Sequence, residues 1–421
     1  MTSTADPSRS SERRNRLRVL VSCLALLGIM AAASWLVLRI TGRAITKVEL
    51  YSEQLERVAP PEWAPASSAL ELATASRPKN IILFIADGLG FAHLAAGRAA
   101  RHGIDGGAIW DRFSAVGWHR PHPVDGFLTD SAASATALAT GQATRNGFVG
   151  MDAGGKALTT LFERASEWGY RTGLVTDSYI WDATPASFVA HVTDRDLASE
   201  ILEQLAAADL DLLFGELEDV GEGEVPDGSA TETLFAERYT VFGPEPITVE
   251  QILTADVDRP VVAIFEEDQL TDLSSTPNLP LLTRAALGRL AAPGEPFVLL
   301  VESEELDSAS HRRDFARVLR GLEAIEATLA LLLDFAASNG DTLVLFTSDH
   351  ETGALSLSTE RGNLALRALW GSNSHTGVAV PLMALGPGSE LFSGMHANWQ
   401  VGRLLHSLLT PRPAGAAGLN L

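Results

Sequence analysis

Several stretches of this 421-residue chain are continuously apolar and close on an acid. Asn80-Ile81-Ile82-Leu83-Phe84-Ile85-Ala86 ends in Asp87-Gly88, and Thr172-Gly173-Leu174-Val175-Thr176 ends in Asp177. Phe297-Val298-Leu299-Leu300-Val301 ends in Glu302, and Thr342-Leu343-Val344-Leu345-Phe346-Thr347-Ser348 ends in Asp349. Short apolar runs without alternation suit strands buried on both faces, as parallel strands are. Helical patterns lie between them, from Leu158 to Trp168 and from Asp314 to Ser338. Strands alternating with helices predict an α/β fold, a three-layer α/β/α sandwich around a mostly parallel central sheet. Ligands gather at the carboxyl ends of such strands, and Asp87, Glu302 and Asp349 lie there.

The longest apolar run is of another kind. Val19 to Leu38 follows Arg13, Arg14, Arg16 and Arg18 and precedes Arg39 and Arg43. Twenty helical residues rise about 30 Å, the thickness of a bilayer's hydrocarbon. A secretory signal's apolar region is shorter, about 7–15 residues, so an uncleaved transmembrane anchor is expected over 19–38. Ala31-Ala32-Ala33-Ser34 keeps cleavage open. Both flanks are basic, which favours a cytoplasmic amino terminus only slightly. The expectation is a basic segment over 1–18, the anchor, and a juxtamembrane segment and proline-bearing linker over 39–78. A catalytic domain over 79–411 would face the extracytoplasmic (periplasmic or extracellular) side, followed by a tail over 412–421.

Charge narrows the function. The chain carries 53 acidic against 32 basic residues, a formal charge of −21, which argues against a nucleic-acid partner. Between Asp196 and Asp272 there are 21 acidic residues against only Arg238 and Arg259. That segment reads as a solvated insertion facing away from any anionic substrate. Cys23 is the single cysteine, so no intrachain disulfide can form. Internal repeats and a glycine-rich nucleotide loop are absent from the sequence; Gly88-Leu89-Gly90 is too short to count as one.

Candidate chemistry centres on Leu128-Thr129-Asp130-Ser131-Ala132-Ala133-Ser134-Ala135-Thr136-Ala137. Ser131 heads a small-residue helical run, where backbone N–H groups favour anions. The plainer reading is that Asp130 or Ser131 only caps the helix. Acids and imidazoles follow in order: Asp182 in Trp181-Asp182-Ala183-Thr184-Pro185, then Glu302, Asp307 and His311, then Asp349-His350, then His375 in Asn373-Ser374-His375-Thr376-Gly377. Asp307 and His311 are four apart, so one helical turn puts both on one face. Oxygen ligands with imidazole suit zinc, and an all-oxygen set suits magnesium. Singly, each also has an ordinary structural reading: an exposed helical pair, a loop histidine, a capping Asp182.

Taken together, the segments resemble the alkaline phosphatase family. The likeness is collinear from about Lys79 to at least Leu385 and rests on Asn80 through Gly88, Thr129 through Ala135, Asp182 through Arg195, Glu302 through His311, Thr347 through His350, and His375 through Gly377. Weaker likenesses lie in Leu210 to Gly215 and Pro277 to Leu290. The resemblance implies hydrolysis of phosphate monoesters through a phosphoserine on Ser131, with two zinc ions and one magnesium. One zinc would take Asp307, His311 and His375. The other would take Asp87, Asp349 and His350 together with Ser131. Magnesium would take Asp87, Asp182, Thr184 and Glu302. Arg195 would clamp two phosphate oxygens, and Asp130 would help orient it.

The charges are consistent with this. Five carboxylates (Asp87, Asp182, Glu302, Asp307 and Asp349) in one pocket would repel without cations. Zinc lowers the pKa of a coordinated hydroxyl or water to about 7, the activation Ser131 needs. A planar guanidinium grips phosphate bidentately, as lysine cannot. The other readings are a phosphodiesterase or sulfatase-like hydrolase of the same superfamily, or a degenerate phosphate-binding module. The arginine and third ligand set favour monoesters over diesters, and no nucleophile or ligand is missing.

The chain departs from the family pattern in three places. Ser303, Glu304 and Glu305 follow Glu302 where many relatives have glycine, and Ser308 stands where many carry lysine or histidine. Less positive charge near phosphate would weaken product binding. A homodimer is compatible with the resemblance, but the stretch from Arg195 to Glu302 is short and offers less for a family-like dimer contact.

Overall fold

The computed structural model describes residues 76–217, 228–243, 248–256, 258–359 and 366–411. From the amino end the elements run β1 (Asn80–Ala86), α1 (Phe91–Arg101), β2 (Ala115–Arg120), α2 (Ser131–Thr140), α3 (Leu161–Glu167), β3 (Arg171–Tyr179) and α4 (Ala183–Ser187). Then come α5 (Ala198–Ala207), β4 (Leu212–Leu217), α6 (Gly228–Ala236), β5 (Thr240–Phe242), α7 (Val249–Thr254), β6 (Val261–Glu266), α8 (Leu279–Ala291) and β7 (Phe297–Ser303). The rest are α9 (Glu305–His311), α10 (Phe315–Asn339), β8 (Thr342–Thr347), β9 (Glu351–Thr352), β10 (Leu355–Ser358), β11 (Arg367–Trp370), β12 (His375–Thr376), β13 (Val380–Leu385), β14 (Gly394–Ala397) and α11 (Asn398–Leu408).

Ten strands form one sheet in the order β14-β2-β13-β8-β1-β7-β3-β4-β6-β5. Only β13 runs against the rest, pairing antiparallel with both β8 and β2. Alternate side chains of β1 enter two separate cores. Ile81, Leu83 and Ile85 pack with Leu138 of α2, Phe162 of α3 and Leu405 of α11. Ile82, Phe84 and Ala86 pack with Leu94 of α1, Leu282 of α8 and Leu329 of α10. Helices therefore cover both faces, and the apolar runs lack alternation because each strand needs apolar groups on both sides.

The predicted helices appear with sharper ends. Thr160 caps α3 by accepting from Glu163 N–H, and Asp314 caps α10 by accepting from Ala316 and Arg317 N–H. Nine of the ten residues of α2 are buried. Its Ala and Ser residues allow α11 to approach closely, and a Cβ on Gly402 would collide with the Ala137 carbonyl.

The acid-rich segment belongs to the sheet. It supplies β4, β5 and β6, whose Leu212, Phe214, Val261 and Ala263 are fully buried. The expectation that it faces away from the site is corrected. Glu216, Glu267 and Asp268 line a cleft together with Asp182, Glu304 and Ser308. Parallel strands explain this, because their carboxyl ends emerge on the same sheet edge as the other strand ends.

The expected anchor over 19–38, its basic flank, nearly all of the 39–78 linker and the 412–421 tail lie outside the described residues. Among the described residues no helix is long and apolar enough to cross a membrane.

Candidate active site

Strand register assembles the site. Ile85 of β1 pairs with Glu302 on one side and Thr347 on the other, and Thr176 of β3 pairs with Glu302. Asp87, Glu302 and Asp349, far apart in sequence, thus emerge side by side. Gly88 follows with φ +73°, and a Cβ there would lie 2.7 Å from Asp307 Oδ1, so glycine lets α9 close onto the end of β1.

Ser131 is the first residue of α2 and Asp130 its N-cap, so the capping reading holds for Asp130. One Asp130 oxygen accepts from Ala133 N–H at 2.9 Å and the other from Gly147 N–H at 2.8 Å. Ser131 is 6% exposed, and its Oγ lies 3.2 Å from His350 Nε2. The same nitrogen lies 3.2 Å from Asp349 Oδ2 and 3.4 Å from Asp87 Oδ1. Several oxygens surround one imidazole nitrogen, an arrangement suited to a cation.

The second histidine group is equally specific. His311 Nδ1 donates to the Asn373 carbonyl and His375 Nδ1 to the Thr129 carbonyl, both at 2.8 Å. A carbonyl only accepts, so both Nδ1 atoms carry the hydrogen, and in the neutral rings both Nε2 lone pairs are left for a ligand. These Nε2 atoms stand 3.1 Å apart, and His311 Nε2 lies 3.1 Å from Asp307 Oδ2. Among the described residues, two sets of donor atoms each lie within 4.8 Å of one another: Asp307 with His311 and His375, and Asp87 with Asp307 and His350. Asp307 stands between the two, a sharing the sequence reading did not anticipate.

Buried atoms without hydrogen-bond partners test whether cations fit. Asp87 Oδ1, Asp349 Oδ2, Thr184 Oγ1 and Glu302 Oε1 are such atoms. Each belongs to a residue of the expected ligand sets, and orphaned buried oxygens are costly unless a cation or water completes them. The other Glu302 oxygen accepts from Thr176 Oγ at 2.6 Å. Asp182 accepts from Ala183 N–H and Ser178 Oγ, and holds Arg195 through Nη2 at 2.9 Å. Asp130 stands farther from Arg195, at 3.9 Å, so Asp182 is the nearer orienting carboxylate.

The electrostatics show how strongly burial and mutual repulsion act on these carboxylates. Burial raises the Asp87 carboxyl well above its ordinary range, and Asp349, Asp307 and Glu302 push the same way. Burial and then Asp182 do the same to Glu302. Burial also works on Asp307, but the neighbouring His311, His350 and His375 hold it below the usual range. Its hydrogen bond with Asp307 raises His311 to about 9.

The alkaline phosphatase family profile matches residues 78–212 and 253–369. The chain belongs to the alkaline phosphatase family. It is 31% identical over 407 residues to streptomycin-6-phosphate phosphatase of Streptomyces griseus, covering 79% of this chain and 91% of that protein. It is 26% identical over 396 residues to an alkaline phosphatase of Escherichia coli, covering 76% and 84%. A mutant alkaline phosphatase of the Antarctic bacterium TAB5, solved with Mg bound, superposes with a TM-score of 0.70 at 25% identity, covering 80% of this chain and 99% of that one. This alkaline phosphatase relative is accordingly a phosphatase enzyme with the family's α/β fold.

Sequence reasoning missed the residues that orient the ligands. Thr176 is found only through its register opposite Glu302. Thr352 contacts both Asp307 and His350. Its position two residues after His350 was the only signal available. Asp177, two residues before the end of β3, accepts from Ser303 Oγ at 2.9 Å and Glu304 N–H at 2.6 Å. It ties down the Ser303-Glu304 departure from the family pattern.

Proposed function

We propose that this enzyme hydrolyses phosphate monoesters through a phosphoserine on Ser131, with two zinc ions and one magnesium. The observation that carries the reading is the convergence of Ser131 Oγ, Asp87 and Asp349 on His350 Nε2, beside the Asp307–His311–His375 group. Zinc would be held by Asp307, His311 and His375, and by Asp87, Asp349 and His350; magnesium by Asp87, Asp182, Thr184 and Glu302. Bound divalent cations would lower the hydroxyl pKa and neutralise charge on the phosphoryl group.

The chain's own groups do the rest. Ser131 heads a ten-residue helix, where N–H groups and the helix dipole favour a phosphate. The Arg195 fork, pre-set by Asp182, grips two phosphate oxygens. Ser131 Oγ, giving up its proton to solvent, forms the new bond to phosphorus in line with the departing ester oxygen; that P–O bond breaks, and the ester oxygen takes up a proton and leaves as the alcohol. Water then displaces Ser131 in a second in-line step, so configuration at phosphorus is retained overall.

Turnover of p-nitrophenyl phosphate by the full chain, wild type against Ser131→Ala, tests this with and without chelator. An inactive wild type supplied with zinc and magnesium, or full activity in Ser131→Ala, would refute it. Anchoring by residues 19–38 with an extracytoplasmic catalytic domain is proposed on the apolar run and its arginines alone. A reporter fused after Leu38 that reads as cytoplasmic would overturn that part.

A further inference from the structure

Thr352 is fully buried in β9, within reach of both proposed zinc ligand sets. Its backbone pairs antiparallel with His375, and its N–H donates to the Gly88 carbonyl at 3.1 Å, next to Asp87. Its hydroxyl touches Asp307 Oδ1 and lies 3.2 Å from His350 Nδ1. A hydroxyl has one proton to give, and an ionised carboxylate only accepts. The proton therefore goes to Asp307, and the Thr352 oxygen accepts from His350 Nδ1–H.

Two consequences follow. His350 is fixed with its hydrogen on Nδ1, so the Nε2 lone pair faces Asp87, Asp349 and Ser131. Asp307 has one oxygen engaged by Thr352 and presents the other to His311. His311 and His375 use backbone carbonyls for the same purpose, which no side-chain substitution removes. His350 alone depends on a side chain for its tautomer.

We propose that Thr352 is a positioning residue whose single hydroxyl sets the ligating orientation of both His350 and Asp307, coupling the two zinc sites. This rests on the cation sites proposed above. Partners of metal ligands commonly contribute about 10–100-fold in affinity.

The test uses the full chain stripped of metal, with zinc affinity read by chelator competition and ligand geometry by the visible spectrum of the cobalt-substituted protein. Thr352→Val should bind zinc about 10–100-fold more weakly and show an altered cobalt spectrum. Thr352→Ser, which keeps the hydroxyl, should restore both. If the valine variant does not fold, Thr352→Ala removes the hydroxyl without filling its space. Wild-type affinity and spectrum in the valine or alanine variant overturns the proposal, as does a serine variant impaired as much as alanine. Failure of the wild type to bind zinc at all would instead overturn the cation reading beneath it.

Discussion

His311 Nε2 and His375 Nε2 face each other across 3.1 Å, each ring locked by an Nδ1 hydrogen bond to a backbone carbonyl. Two bare imidazole nitrogens cannot bond each other; either a proton or a cation must lie between them or beside Asp307. In the metal-free protein the hydrogen bond to Asp307 raises His311 to about 9. Below that pH a cation must displace the proton, so apparent zinc affinity should rise with pH by about tenfold per unit for each proton released. It should level off above about 9. Chelator competition between pH 7 and 10 measures this, and a flat profile from 7 to 9 would sink it.

Arg195 is 30% exposed and is held by Asp182, so its guanidinium is oriented before substrate arrives. Lysine there keeps the charge but cannot make two parallel bonds to phosphate. Arg195→Lys should weaken inhibition by inorganic phosphate about tenfold, the loss of one charge-assisted hydrogen bond. KM should rise with it. An unchanged inhibition constant would place the phosphate elsewhere.

Ser308 marks where this chain departs from many relatives, and its Oγ donates to Glu304 Oε1 at 2.7 Å. Ser308→Lys adds a cation at the edge of the cleft that Asp182 also lines. Phosphate should inhibit this variant more strongly, and product release should slow. Above about pH 8, where Glu304 is ionised, it would attract the new ammonium, so there Ser308→Lys with Glu304→Gln should show the larger effect. If neither variant changes phosphate inhibition, charge at this position does not govern product binding.

The sheet was legible because parallel strands buried on both faces leave unbroken apolar runs, as in Ile81 to Ala86 and Leu343 to Phe346. The proposed ligands were legible because their chemistry is carried by residue type and strand-end position. What the sequence could not convey was orientation. Thr176 reaches Glu302 only through strand register, and Thr352 reaches Asp307 only because Gly88 lets α9 approach β1. The charge of 196–272 was plain, but its direction was not. Once β4 and β6 join the sheet in parallel, Glu216 and Asp268 must come out on the side of the site.

Asp177 carries the last prediction, on stability. Burial raises its carboxyl from 3.8 to about 7, against the downward pull of Glu304 N–H and Ser303 Oγ. Its folded pKa therefore exceeds its unfolded one, so between these values the native state holds a proton that the unfolded chain has lost. Stability is then greatest at the acid end of the window and falls as pH rises towards about 7. Burial raises Glu216 and Glu304 to about 8, which adds to the same trend. Asparagine at 177 can still accept from Glu304 N–H and can donate to Ser303 Oγ, without ever being charged. Asp177→Asn should come closest to wild type near pH 4 and gain on it by about 4 kcal/mol at pH 8, from about 1.4 kcal/mol per pKa unit over the shift. Urea unfolding of the metal-free full chain at both pH values measures the difference. Identical pH slopes in the two proteins would mean that Asp177 is ionised throughout, and that the Ser303-Glu304 turn is held by a charged carboxylate.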